Sequence, residues 1–257
     1  MEEIIHIIPL AYEIDMAVKP FDKMRANKVY LLHSLDTRKE YKTMDRRYFL
    51  QAVKKRLEQM NIEVITQESN ISEPLPLLST ISDIIVHEKK ENNLIYVNMS
   101  ASGRLTAVAS TLAAMYHDVK VYYVHADVGY ANDEKELLEH GMSIIDKPNY
   151  TILTNFTIDL PTGAKSTFLV ELYEKGKMTT NDIIKMIKDN RLQGFEDLNE
   201  PIGGKQRTSS NLLVRINRGL LDELKQNGYI SIGKRGRNKI IDITDKGKYA
   251  ACLIGHA

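Results

Sequence analysis

The chain has 257 residues, 43% of them hydrophobic and 27% charged, with 35 Lys and Arg against 34 Asp and Glu. That length suits one large or two small domains, and the mixture excludes a disordered or fibrous chain. The single cysteine, Cys252, excludes an internal disulfide framework and a cysteine-built zinc cage, and no apolar run reaches the roughly 20 residues of a membrane helix. The opening, MEEIIHIIPL, is acidic where a secretory leader is positive, so a cytoplasmic protein is expected.

Short β-rich runs alternate with helical patterns through the first part. The runs are 4–8 (IIHII), 28–33 (KVYLLH), 62–66 (IEVIT), 94–98 (LIYVN) and 119–125 (VKVYYVH). Nearly continuous apolar runs of this kind suit strands buried on both faces. Between them, 45–60 carries Phe49, Leu50, Val53, Leu57 and Met60 close to a 3.6 period, 77–88 follows Pro74 and Pro76, and 104–116 is Ala-rich and apolar almost all round. Alternating strands and helices predict βαβ units and a mostly parallel, doubly wound Rossmann-like sheet. Residues 132–146 are expected to add a short helix and an edge strand, and 150–158 a last strand.

After Pro161–Gly163 helical periods dominate. They predict helices over 167–175, 180–189 (capped by Thr179 or Thr180) and 209–226, the last stopped by Asn227-Gly228. Two strands, 229–232 and 239–243, are joined by 233–238 (GKRGRN), and a last helix spans 245–253. Three helices, a hairpin and a helix are the pattern of a winged helix-turn-helix, which makes 1–160 one domain and 161–257 a second. The stretch 191–207 is longer than a helix-turn-helix turn and reads as an insertion.

The neutral total conceals a split. Residues 1–160 hold 18 Lys and Arg against 23 Asp and Glu, a net −5; residues 161–257 hold 17 against 11, a net +6. A basic second domain points to nucleic acid. Its candidate DNA contacts are Lys205 and Arg207 in the insertion, Ser209, Ser210, Asn211, Arg215 and Arg218 on the third helix, and Lys234, Arg235, Arg237 and Lys239 at the hairpin tip. Recognition helices place such side chains near base edges, and tip cations neutralise phosphates.

In an open α/β sheet ligands bind at the carboxyl ends of strands. Two strand ends stand out: 9–15 (PLAYEID) and 98–104 (NMSASGR). The second is small and hydroxyl-rich and opens a helix, whose free N–H groups with Arg104 suit a phosphate or a polar base edge. No G-x-G-x-x-G follows the first strand and no phosphate-binding P-loop occurs, so an oxidoreductase-type dinucleotide site is not expected. His6 and His33 lie in strand runs without metal-ligand spacing, so no metal is expected. His125 and Asp127 end a strand at the same edge.

Asn98-x-Ser100-x-x-x-Arg104 after the fourth strand resembles the [Asp/Asn]-x-[Ser/Thr]-x-x-x-[Arg/Lys] signature of CRISPR-associated Rossmann-fold (CARF) domains. The opening 5–28 resembles an archaeal group of CARF-like proteins with a C-terminal winged helix. The resemblance implies a homodimer that binds cyclic oligoadenylate or a related nucleotide over the ends of the first and fourth strands. By motif, Asn98, Ser100 and Arg104 would touch the ligand, while Ala101, Ser102 and Gly103 supply the loop and its N–H groups. The loop Ala11–Asp15, with Leu10 before it and Glu13 within it, would form the other wall, Tyr12 stacking on a base; His125, from its place at the strand end, is a further candidate to line the pocket. Acidic Glu13 and Asp15 would then have to point away from the phosphates or accept from adenine N–H or ribose OH groups. Three functions are open: a ligand-responsive DNA-binding transcription regulator without a cofactor, a ring nuclease that cleaves the same ligand, and a nucleic-acid-binding assembly protein.

Overall fold

The structure is a computed structural model that describes residues 2–34, 45–192, 194–195, 212–235 and 238–255. The chain divides into two compact units, Met1–Ile158 with Gly255–Ala257, and Asp159–Ile254.

The first unit runs β1 (Ile4–Pro9), α1 (Asp15–Val18), β2 (Lys28–His33), α2 (Arg46–Gln59), β3 (Glu63–Glu68), α3 (Pro74–Lys90), β4 (Leu94–Asn98), α4 (Arg104–Tyr116) and β5 (Lys120–Val124). It continues through β6 (Gly129–Tyr130), α5 (Glu134–His140), β7 (Ser143–Ile144) and β8 (Tyr150–Ile152). The main sheet has the order β3-β2-β1-β4-β5-β8, parallel except for β8. Its register sets Ile5 beside both Lys28 and Ile95.

Right-handed crossovers place the helices that lead to β2 and β3 on one face and those that lead to β4 and β5 on the other. Packing agrees. Phe49, Leu50, Val53 and Leu57 of α2 cluster with Ile8, Val29, Leu31, Tyr122 and Val124, whereas α3 and α4 pack against each other. The chain reverses direction between β1 and β4, and the two candidate loops flank that switch point, where open α/β sheets bind their ligands.

Several elements differ from expectation. α3 starts at Pro74, because prolines preset the first helical turn. The segment 132–146 gives α5, but its strand β7 pairs with β6 and stays off the main sheet. β8 ends at Ile152, where its pairing with β5 stops at Tyr122.

The second unit comprises α6 (Ala164–Lys175), β9 (Lys177–Thr179), α7 (Thr180–Asp189), a helix over 212–226 (α8), β10 (Ile230–Arg235), β11 (Asn238–Ile243) and α9 (Asp245–Ile254). Thr179 and Asp182 form a reciprocal capping box on α7. α8 passes through a π turn at Asn217–Leu221. Gly228, at φ +75°, takes the left-handed turn after Asn227. β10 and β11 pair out to Arg235 and Asn238, so the expected loop 233–238 is largely strand. β9 joins them in an unforeseen three-stranded sheet. The core is Phe168, Leu169, Leu172, Ile183, Ile187, Ile216, Leu220, Leu224 and Ile241.

Candidate functional site

At the switch point the loops after β1 and β4 are tied together. Ala11 N–H donates to Ala101 O at 2.9 Å, and Leu10 N–H to Leu32 O at 2.8 Å. Asn98 is fully buried. Its Nδ2 donates to Met16 O at 2.9 Å, and its Oδ1 accepts from Ser100 N–H at 2.8 Å. Ser100 Oγ accepts from Val124 N–H at 2.7 Å. Two of the three signature residues therefore spend these polar groups fixing the loop against α1 and β5.

Ser102 Oγ donates to Thr106 Oγ1 at 3.2 Å, which donates to Ile71 O at 2.8 Å. Gly103 is the N-cap of α4 with no side-chain capping bond, and a Cβ placed there would meet nothing within 4 Å. Exposed Arg104 follows as the first residue of that helix. The first N–H groups of a helix have no intrahelical partners, and with open space and a permanent cation beside them they suit an anion.

The wall after β1 is arranged otherwise. Glu13, 9% exposed, points away from the crevice: its Oε1 accepts from Ser143 Oγ at 2.8 Å and its Oε2 from Ser143 N–H at 3.0 Å. Burial pushes its carboxyl up to about 7, against the pull of those two bonds and with help from nearby Asp15. Asp15 Oδ2 accepts from Ile145 N–H at 3.0 Å and meets His140 Nδ1 at 2.9 Å. The backbones run together as well, with Ile14 N–H on His140 O and Met142 N–H on Tyr12 O. Gly141, at φ +84°, makes this approach possible, since a Cβ there would lie 2.4 Å from Ile14 N. The Tyr12 ring stands edge-on to Phe49, with the Arg46 guanidinium 5.1 Å from its centroid.

His125 turns to β8, its Nε2 2.9 Å from Thr151 Oγ1. Asp127 accepts from the backbone N–H groups of Asp146 and Lys147, which hold its carboxyl below the usual range. His6 is buried against Tyr96, Phe21 and Tyr122, and burial lowers its imidazole to about 4. Among the described residues no group of three or more His, Cys, Asp or Glu could hold a metal ion. Nor, among them, is any helix long and apolar enough to cross a membrane.

In the second unit Arg215 donates to Gly194 O at 2.5 Å and lies 5.6 Å from the Phe195 ring centroid. Arg218 is exposed on α8. Lys239 Nζ donates to Asn217 Oδ1 at 3.2 Å, which links the hairpin to the π turn. Lys234 pairs opposite Lys239 in the β10–β11 ladder, which brings the two cations together at the wing. Lys205, Arg207, Ser209, Ser210, Asn211 and Arg237 lie outside the described residues, as does the Arg235 side chain. Sequence reasoning missed Ser143, His140, Gly141 and Arg46. Their partners are 34–130 residues away in the chain, and no local pattern marks them.

Residues 4–129 match the family model described as "HFX_2341_N:-like, N-terminal". Residues 164–255 match that of the "DUF6293 C-terminal winged helix domain". No curated protein matched the chain. Among solved structures, Can2 from Sulfobacillus thermosulfidooxidans in complex with cyclic tetra-adenylate matches with 11% identity and a TM-score of 0.39, covering 97% of this chain and 61% of that one. Csm6 from Enterococcus italicus, bound to cyclic hexa-2′-fluoro-hexa-dAMP, matches with 10% identity and a TM-score of 0.41, covering 88% and 57%. The chain thus spans about three fifths of the length of these structures.

Proposed function

We propose that this chain, which joins an HFX_2341_N-like N-terminal domain to a DUF6293 C-terminal winged helix domain, is a ligand-responsive DNA-binding transcription regulator. The observation that carries the reading is the winged helix domain itself: its hairpin and α8 present Lys234, Lys239 and Arg218 from the part of the chain that bears the net positive charge. The ligand class, cyclic oligoadenylate or a related nucleotide, follows from the resemblance of Asn98-x-Ser100-x-x-x-Arg104 to the CARF signature. In this reading Asn98 and Ser100 shape the loop, while Arg104 and the first N–H groups of α4 contact the ligand.

The regulator works as a homodimer, and ligand at the switch-point edge shifts the population between DNA-competent and incompetent states. The test is a gel-shift titration of the full chain against its own upstream DNA, with and without cyclic tetra- and hexa-adenylate. DNA binding that either ring strengthens or weakens is expected. No binding at low salt under any condition overturns the proposal. Chromatography of the ring after incubation tests the ring-nuclease alternative, and recovery of intact ligand excludes it.

A further inference from the structure

We infer that Arg46 is a second anion-binding side chain of the ligand edge, opposite the wall that carries Arg104; this rests on the ligand-sensing reading above. Arg46 is the first residue of α2, after Asp45, whose side chain caps the helix by accepting from Arg47 N–H. Its guanidinium lies over Tyr12, the neighbour of the Ala11 that is bonded to the Ala101 loop. Arg46 therefore stands on the same edge as the exposed start of α4.

Its bonding is incomplete. Nε is buried and has no hydrogen-bond partner, and no carboxylate among the described residues forms an ion pair with Arg46. A buried donor on a permanent cation is costly to leave unmade, and buried polar groups are almost always satisfied. The nearby acids are engaged elsewhere: Glu13 with Ser143, Asp15 with Ile145 and His140, Asp45 with the helix start. The neighbouring cation Arg56 is also occupied, donating to Glu139 O. The contact with Tyr12 holds the guanidinium in place; with Nε buried, it is the pair of terminal Nη groups of this partly exposed side chain that would receive a phosphate through two parallel bonds. The Tyr12 ring is then a mount for Arg46, with one face occupied, rather than a platform for a base.

The test measures binding of cyclic tetra- and hexa-adenylate to the full chain by calorimetry across a salt series. The variants are Arg46→Met, Arg46→Lys, Arg104→Met and Arg47→Met. Arg46→Met is expected to weaken binding by about tenfold to a hundredfold, the worth of a charged hydrogen bond, and to flatten the salt dependence. Arg46→Lys keeps the charge, loses the fork and falls between, and it covers the case that the Met variant folds poorly. Arg47→Met, on the exposed neighbour, leaves affinity unchanged. If Arg104→Met weakens binding while both Arg46 variants match wild type in affinity and salt slope, the Arg46 inference is overturned and the ligand reading stands. If wild type binds neither ring, both are overturned.

Discussion

Replacing Glu13 with Gln separates its hydrogen bonding from its charge. The Gln carbonyl can accept from Ser143 N–H, and its NH2 can donate to Ser143 Oγ, a hydroxyl that also accepts, so both bonds at 2.8–3.0 Å survive. The wild-type carboxyl sits at about 7 instead of 4.5 because burial penalises its ionised form. At about 1.4 kcal/mol per pH unit, that gap corresponds to about 3 kcal/mol. Between pH 4.5 and 7 the folded chain keeps a proton that the unfolded chain releases, so this site makes stability fall as pH rises through that window and level off above about 7. Gln carries no such proton. Glu13→Gln is therefore expected to match wild type near pH 4.5 and to exceed it by about 3 kcal/mol at about pH 8. With a urea slope of about 3 kcal/mol/M for a domain of this size, the midpoint should shift by about 1 M. The chain has no Trp and 13 Tyr, most of them in the first unit, so tyrosine near-ultraviolet dichroism follows the relevant transition. A midpoint difference that is the same at about pH 5 and about pH 8 would refute the argument.

Gly141→Ala must place a Cβ 2.4 Å from Ile14 N at φ +84°, and is expected to cost the first unit about 2–4 kcal/mol and to speed proteolysis within 128–145; an unchanged midpoint contradicts this. Asn98→Ala removes the bonds to Met16 O and Ser100 N–H and should cost about 2–4 kcal/mol in thermal unfolding, with weaker ring binding as the loop loosens. Replacing Lys234, Arg235 and Lys239 together by Ala should weaken binding to all DNA sequences alike and lower the slope of log K against log salt by about 0.9 for each phosphate that is no longer neutralised. A slope equal to wild type would remove the wing from the interface.

Much of the scaffold is legible in the sequence because the governing signals are local. β2, β4, α4 and α7 occupy the residues their periodicity assigns. β9 is not legible: three residues, Lys-Met-Thr, carry no alternation, and they pair only because β11 presents an open edge. The site divides the same way. The Asn98–Arg104 loop announces itself after a strand, but the role of its side chains depends on Met16, 82 residues distant, and on Val124. The acidic pair in the opposite wall reads as a hindrance to an anion until Ser143, His140 and Ile145 arrive from more than 120 residues downstream. Arg46 carries no motif, and only its position over Tyr12 gives it a reading.

Net charge is a poor guide to the field at this edge, because distance decides which charges count. Glu2 and Glu3 precede β1, Glu63 begins β3, Glu88 and Glu91 stand at the end of α3, and Asp118 precedes β5. All six mark the amino ends of strands, and Glu88 is also bonded to Tyr30 and Asn93. A five-residue strand puts them about 17 Å from the carboxyl edge. Two unit charges at that separation in water interact by about 0.2 kcal/mol, and a Debye length of about 8 Å at physiological salt reduces this roughly eightfold. Reversing exposed Glu91 to Lys should therefore change the affinity for cyclic tetra-adenylate less than about twofold at about 0.15 M salt, whatever it does to the net charge. Arg104→Met, which removes one charge at the proposed ligand site, should cost about tenfold or more. Equal effects from the two substitutions would mean that the overall charge of the unit, rather than the local pairing of Arg46, Arg104 and the α4 amides, governs recognition.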